Sequence, residues 1–106
     1  MDNIYTNSQR PIHFAVQDSD GVAINLEQNP IDHIELLLPD ETTLSLTMDL
    51  LAIVGEPAEG FLAWVPAIDD IELPGFWEAQ AFVQVDGGTI EATRRARFEV
   101  FQSLTD

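Results

Sequence analysis

Two alternating runs between Leu73 and Phe101 meet across Asp86-Gly87-Gly88-Thr89, and they fix the most legible element of the chain. In the first, Trp77, Ala79, Ala81, Val83 and Val85 share one parity while Glu78, Gln80, Gln84 and Asp86 share the other. In the second, Ile90, Ala92, Ala96, Phe98 and Val100 alternate with Glu91, Thr93, Arg95, Arg97 and Glu99. Alternation with period two is the signature of a half-buried strand. Gly-Gly at the apex supplies the positive backbone angles of a two-residue hairpin turn, so a register follows. Asp86 faces Thr89, which sets Val83 opposite Ala92, Ala79 opposite Ala96 and Trp77 opposite Phe98 on the buried side. On the wet side Gln80 meets Arg95 and Glu78 meets Arg97, and an acid opposite a base is a favourable cross-strand pair.

Upstream, Ile4 and Tyr5 begin an extended lead-in over residues 1–9, and Pro11 marks a position that donates no ladder hydrogen bond. Ile12, Phe14 and Val16 then alternate with His13, Ala15 and Gln17. Asp18-Ser19-Asp20-Gly21 is a hairpin turn signal, with a short return run from Val22 to Leu26. A second hairpin is expected from Ile31–Leu38 and Leu44–Met48, joined by Pro39-Asp40-Glu41-Thr42-Thr43; Ile34, Leu36 and Leu38 face one side, His33, Glu35 and Leu37 the other. Leu50–Val54 is a continuous apolar run, which periodicity alone does not separate into strand or helical turn; extended structure is the expectation. Phe61-Leu62-Ala63-Trp64-Val65 is apolar on both faces, as in a central or interface strand, and Pro66 ends it. Short strands separated by turn chemistry at intervals of about ten residues predict an all-β fold, a single antiparallel sandwich of about seven to nine strands. The polar residues 102–106 form a tail.

Composition narrows the function. At 106 residues with 45% hydrophobic content the chain fits one globular domain. Cysteine is absent, so disulfides and thiolate metal sites are excluded. No apolar run approaches the length of a membrane span, and Met1-Asp2-Asn3 opens no secretory signal. Nineteen acids stand against four bases, all arginine, for a formal charge of −15. Such a surface repels nucleic acid. The clustered Arg94, Arg95 and Arg97 are expected to pair with acids such as Glu78 and Glu91. A lysine-free acidic surface is also one that stays soluble in high salt.

Candidate chemistry is sparse. His13 and His33 sit at outward parity without a third ligand, and Asp32 cannot face the same way as His33 in a regular strand. The serines lie in no nucleophile motif. Asp18-Ser19-Asp20-Gly21 resembles the opening of a calcium loop, but its glycine comes too early and Asn29 stands where a bidentate acid is needed, so a turn is the better reading. Asp69-Asp70, near Glu72, reads as a solvated acidic loop. No catalytic residue, cofactor or metal ligand is therefore assigned. The candidate interaction residues are Leu37, Phe82 and Phe101, apolar at outward parity, with Arg95 and Arg97.

One resemblance adds a role. Pro11-Ile12-His13-Phe14-Ala15-Val16-Gln17-Asp18-Ser19-Asp20-Gly21, a strand pair, Gly60-Phe61-Leu62-Ala63-Trp64-Val65, and Leu73-Pro74-Gly75-Phe76-Trp77-Glu78-Ala79-Gln80 running into Val85-Asp86-Gly87-Gly88 stand in this order. In that order they resemble the Ig-like sandwich domains of tailed-phage virion proteins, typified by the N-terminal domain of baseplate upper proteins. The resemblance spans nearly the whole chain and lies in its turn and strand signals. It implies an Ig-like sandwich and a non-enzymatic structural role in a tail, baseplate, neck or capsid surface. Its implied partners are other virion proteins and further copies of the chain in a symmetric assembly, with neither nucleic acid nor membrane. The alternative is a carbohydrate-binding or adhesin-like module, which requires Trp64, Phe76 and Trp77 to form an exposed platform.

Overall fold

Alternation of apolar and polar residues is converted here into two sheets with a common interior. The structure, a computed structural model, describes residues 4–67 and 70–103. Its strands are β1 (Ile4–Tyr5), β2 (Ile12–Ala15), β3 (Ile31–Leu37), β4 (Thr43–Thr47), β5 (Leu51–Ile53), β6 (Phe61–Trp64), β7 (Gly75–Val85), β8 (Thr89–Ala92) and β9 (Ala96–Phe101). The larger sheet runs β1-β9-β7-β3-β4, with β8 also on β7, and curls as a half-barrel; the smaller runs β2-β6-β5. The chain is all-β, as expected.

β7 organises the larger sheet. One of its edges pairs β9 through Trp77↔Phe98, Glu78↔Arg97 and Ala79↔Ala96, the register expected from the sequence. Its other edge pairs β3, where Ile34 meets Ala81 and Leu36 meets Ala79. Two aromatic contacts carry this packing to the smaller sheet. The Trp77 and Phe98 rings lie 5.9 Å apart, and Phe98 meets Phe14 of β2 edge-on at 6.2 Å. Offset and edge-on geometries suit the ring quadrupoles, and the buried Trp77 indole still donates its N–H to the Leu73 carbonyl at 2.9 Å. Ile12, Phe14, Val16, Leu62 and Trp64 from one side and Ile34, Leu36, Leu46, Ala81 and Val83 from the other complete the core.

The structure departs from the expected hairpin at its tip. Asp86–Gly88 is a three-residue 3-10 turn, with Gly88 at φ 91, instead of a two-residue loop. β8 is therefore displaced by one residue, pairing Val85 with Thr89 and Phe82 with Ala92. A one-residue slip moves every side chain to the opposite face. Ile90 and Ala92, expected inward, are exposed, and Thr93 is buried instead. Its N–H and its hydroxyl both donate to the Ala81 carbonyl at 2.9 Å. The chain then bends through Arg94 and Arg95 and recovers the expected register at Ala96, although Ala96 itself is exposed.

Further corrections concern the edges. The strands are not all antiparallel, because β1 runs parallel to β9, Ile4 against Val100. The run after Gly21 is no strand and makes only the bridge Gln17↔Ala23. Asp18 Oδ1 accepts from the N–H groups of Asp20 and Val22, tightening that turn, and Leu26 then enters the core while its N–H donates to Pro57. Met48 leaves its strand for a 3-10 turn over Met48–Leu50 and is exposed. Leu51–Ile53 is extended, as expected. Gly60 is required where β6 begins: at φ 74, an added Cβ would lie 2.8 Å from the Val16 carbonyl and 2.9 Å from that of Ile24.

Candidate interaction surface

The outward face of the larger sheet gathers all five residues singled out from the sequence. Leu37, Glu78 and Arg97 form one row across β3, β7 and β9. Glu78 faces Arg97 through the backbone, yet its carboxylate meets the diagonal Arg95 at 3.4 Å. Arg97 instead lies over the Phe76 ring, 4.1 Å from its centroid. Arg95 is not opposite Gln80, whose side-chain amide donates to the Thr93 carbonyl at 2.9 Å, because the bend before β9 carries Arg95 off the ladder. Phe101 packs beside Tyr5 at 6.0 Å, and Phe82 is stacked under the His33 ring at 4.6 Å. The three apolar candidates thus stand apart on one face, separated by Glu35, Glu78 and Gln80. A shallow cavity of about 150 Å³ lies between β3, β4 and β7, lined by Glu35, Thr43, Glu78 and Arg95 among others.

His33 differs from its expected setting. The β3–β7 register shifts between Ile31 and His33, a bulge that leaves Asp32 and His33 both out of the core between Ile31 and Ile34. Asp32, which a regular strand would turn away, lies 2.7 Å from His33 Nδ1, and Glu35 lies 3.6 Å from Nε2. Even so, among the described residues no group of three or more His, Cys, Asp or Glu is placed to hold a metal ion. Asp69 lies outside the described residues, as do Met1–Asn3 and Leu104–Asp106 of the two termini; Asp70 accepts from the Ala67 N–H at 2.8 Å. At the β3–β4 turn, hydrogen bonds from the Thr42 hydroxyl and then its backbone N–H hold the Asp40 carboxyl below the ordinary carboxylate value.

The outward face of the smaller sheet is of another kind. Ile12, Leu51 and Trp64 share an inward row, so the adjacent rows point outward: His13–Ala63–Ala52, and Ala15–Phe61 with Val54, whose N–H donates to the Phe61 carbonyl at 3.0 Å. Beyond the ladder, Val65 follows Trp64, Pro11 precedes Ile12 and Leu50 closes the 3-10 turn before Leu51, and all three are exposed. None of these residues carries a formal charge with His13 neutral. Val65 is 62% exposed, Leu50 50%, Phe61 43% and Val54 39%, so four large apolar side chains on one face are in water. Sequence reasoning did not single them out. The available signal was the same two-sided apolar character of Phe61–Val65 that left its parity unassigned.

No family model matches the chain, and no curated protein is significantly similar to it. Of the aromatic platform that sugar binding would need, Trp64 and Trp77 are buried in the core, and Phe76 alone is exposed, beneath Arg97.

Proposed function

We propose that this chain is a non-enzymatic structural subunit of a tailed virus particle, in its tail, baseplate, neck or capsid surface, acting through protein–protein contacts. The observation that carries the contact role is the uncharged outward face of the smaller sheet, left open in a chain of net charge −15. Contiguous apolar surface rimmed by polar residues marks interaction sites. The particle role rests on the resemblance of the Pro11–Gly21, Gly60–Val65 and Leu73–Gln80 segments to tailed-phage Ig-like domains. The strand order supports an Ig-like reading of the sandwich: β2, β6 and β5 take the places of strands B, E and D, while β9, β7, β3 and β4 take those of G, F, C and C′. On this reading β1 lies parallel to the last strand as an A′ strand, and β8 is an addition to the F–G hairpin. The Ig-like order argues for fold alone, since sandwiches of this kind serve many functions.

Quantitative mass spectrometry of gradient-purified particles from cells carrying the gene tests the role. The expected result is this chain at a fixed ratio to the major capsid protein. Its absence from the particles, with the chain recovered only free in the lysate, would overturn the proposal.

A further inference from the structure

We infer that the outward face of the smaller sheet is a self-association site, taking the same face of a second copy of this chain. The inference rests on the structural-subunit reading and names one partner for it. Two features of the face point to a second copy. The first is charge. Two copies brought together over most other surfaces would set carboxylate against carboxylate, whereas here the contact is uncharged on both sides. At one end of the face Arg10 flanks β2 and Asp49 flanks β5, so they sit on opposite margins. A two-fold axis along the strands lays Arg10 of each copy beside Asp49 of the other, an isologous arrangement that needs no other molecule.

The second feature is area. The exposed parts of Phe61, Val65, Leu50 and Val54, with the alanines and Pro11 between them, amount to on the order of 500 Å² per copy, in the range of the largest patches on monomers. Joined face to face, two copies bury on the order of 1,000 Å², the lower bound for a specific interface. The dimer is therefore of modest affinity, with a Kd of roughly 1–100 µM. Away from the face the copies still repel, so added salt tightens the dimer by screening that repulsion.

Sedimentation equilibrium of the full chain, from micromolar to millimolar concentration, reads the association directly. The expected mass rises from the 11.8 kDa of one chain to twice that value, with a midpoint that falls several-fold between 50 mM and 500 mM salt. Val65→Glu puts a carboxylate on the central strand of each face, where an axis along the strands sets it against its own copy, and should leave the protein monomeric throughout, with a circular dichroism spectrum and melting temperature like those of the parent. Leu37→Glu, on the other sheet's outward face, should leave the midpoint unchanged. A parent that stays monomeric at millimolar concentration, a dimer that survives Val65→Glu, one dissociated by Leu37→Glu, or one loosened by salt would each overturn the inference. A monomer that is still found in particles would sink this inference and spare the structural role; a dimer absent from particles would do the reverse.

Discussion

On the outward face of the larger sheet Arg95 meets Glu78, Arg97 covers Phe76 and His33 covers Phe82, whereas the smaller sheet leaves Phe61, Val65, Leu50 and Val54 uncovered. Both faces alternate with the same core, so the difference does not come from folding requirements. The larger sheet gives two of its outward aromatic side chains a partner within the monomer, a cation over Phe76 and an imidazole on Phe82, while Tyr5 and Phe101 pack on each other and remain partly exposed. The smaller sheet has no such partners on its face. β6 is apolar on both faces, and only its inward face is covered by this chain.

The comparison breaks most visibly along β6, where adjacent residues face opposite ways. Trp64→Ala should lose about 3–5 kcal/mol of unfolding free energy, since it empties a large volume between the sheets. Its neighbour Val65→Ser should stay within about 0.5 kcal/mol, because that side chain has no packing to lose in the monomer. Urea denaturation followed by tryptophan fluorescence at a chain concentration well below the dimer Kd measures both; equal losses would refute the placement of Val65 on the outward face.

Smaller effects sharpen the other half of the comparison. Arg97→Ala should cost about 0.5–1 kcal/mol by stripping the cation from the Phe76 ring, and most of that loss should persist in 0.5 M salt because the guanidinium also packs as a plane. Glu78→Gln should cost about 0.2–0.5 kcal/mol and nothing measurable at high salt, as expected of an exposed pair whose Arg95 side chain is 67% accessible. Urea titrations at two salt concentrations separate the two.

The smallest effect lies at the β3–β4 turn. Asp40 is held below its ordinary value of 3.8 by the Thr42 hydroxyl and N–H, so its contribution to stability is complete above that value and is lost as pH falls through the lowered one. Thr42→Val removes the hydroxyl donor and should raise the Asp40 titration midpoint toward 3.8, read from its side-chain carboxyl resonance; an unmoved midpoint would contradict the assignment.

Much of the fold was legible because local chemistry and tertiary contacts agree. The inward parity of Ile12, Phe14, Ile34 and Leu36 followed from alternation alone, whereas Trp77 opposite Phe98 followed from alternation with a two-residue turn, and it holds because the stretch before Ala96 restores the register that the three-residue turn shifts. Legibility ended where one residue changes everything. Gly87-Gly88 admits a two-residue or a three-residue turn, and the choice decides whether Ile90 or Thr93 enters the core. The bulge at Asp32–His33 has the same character: nothing local separates it from a regular strand, and it brings together two side chains that strict alternation would part. The site was the least legible. Leu37, Phe82 and Phe101 stand out because they break an alternating pattern, and Arg95 and Arg97 because they are clustered bases in an acidic chain. Phe61, Val65, Leu50 and Val54 lie in runs with no pattern to break, and only the pairing of β2, β6 and β5 sorts inward from outward.

The claim that the uncharged sheet face is where this chain meets its neighbour is tested most directly by two-dimensional amide NMR across a concentration series. The account predicts shifts confined to Pro11-flanking and β2 residues, to residues 50–54 and to residues 61–65, growing together with a single midpoint. Shifts centred on residues 76–82 and 95–101, or none up to millimolar concentration, would contradict it.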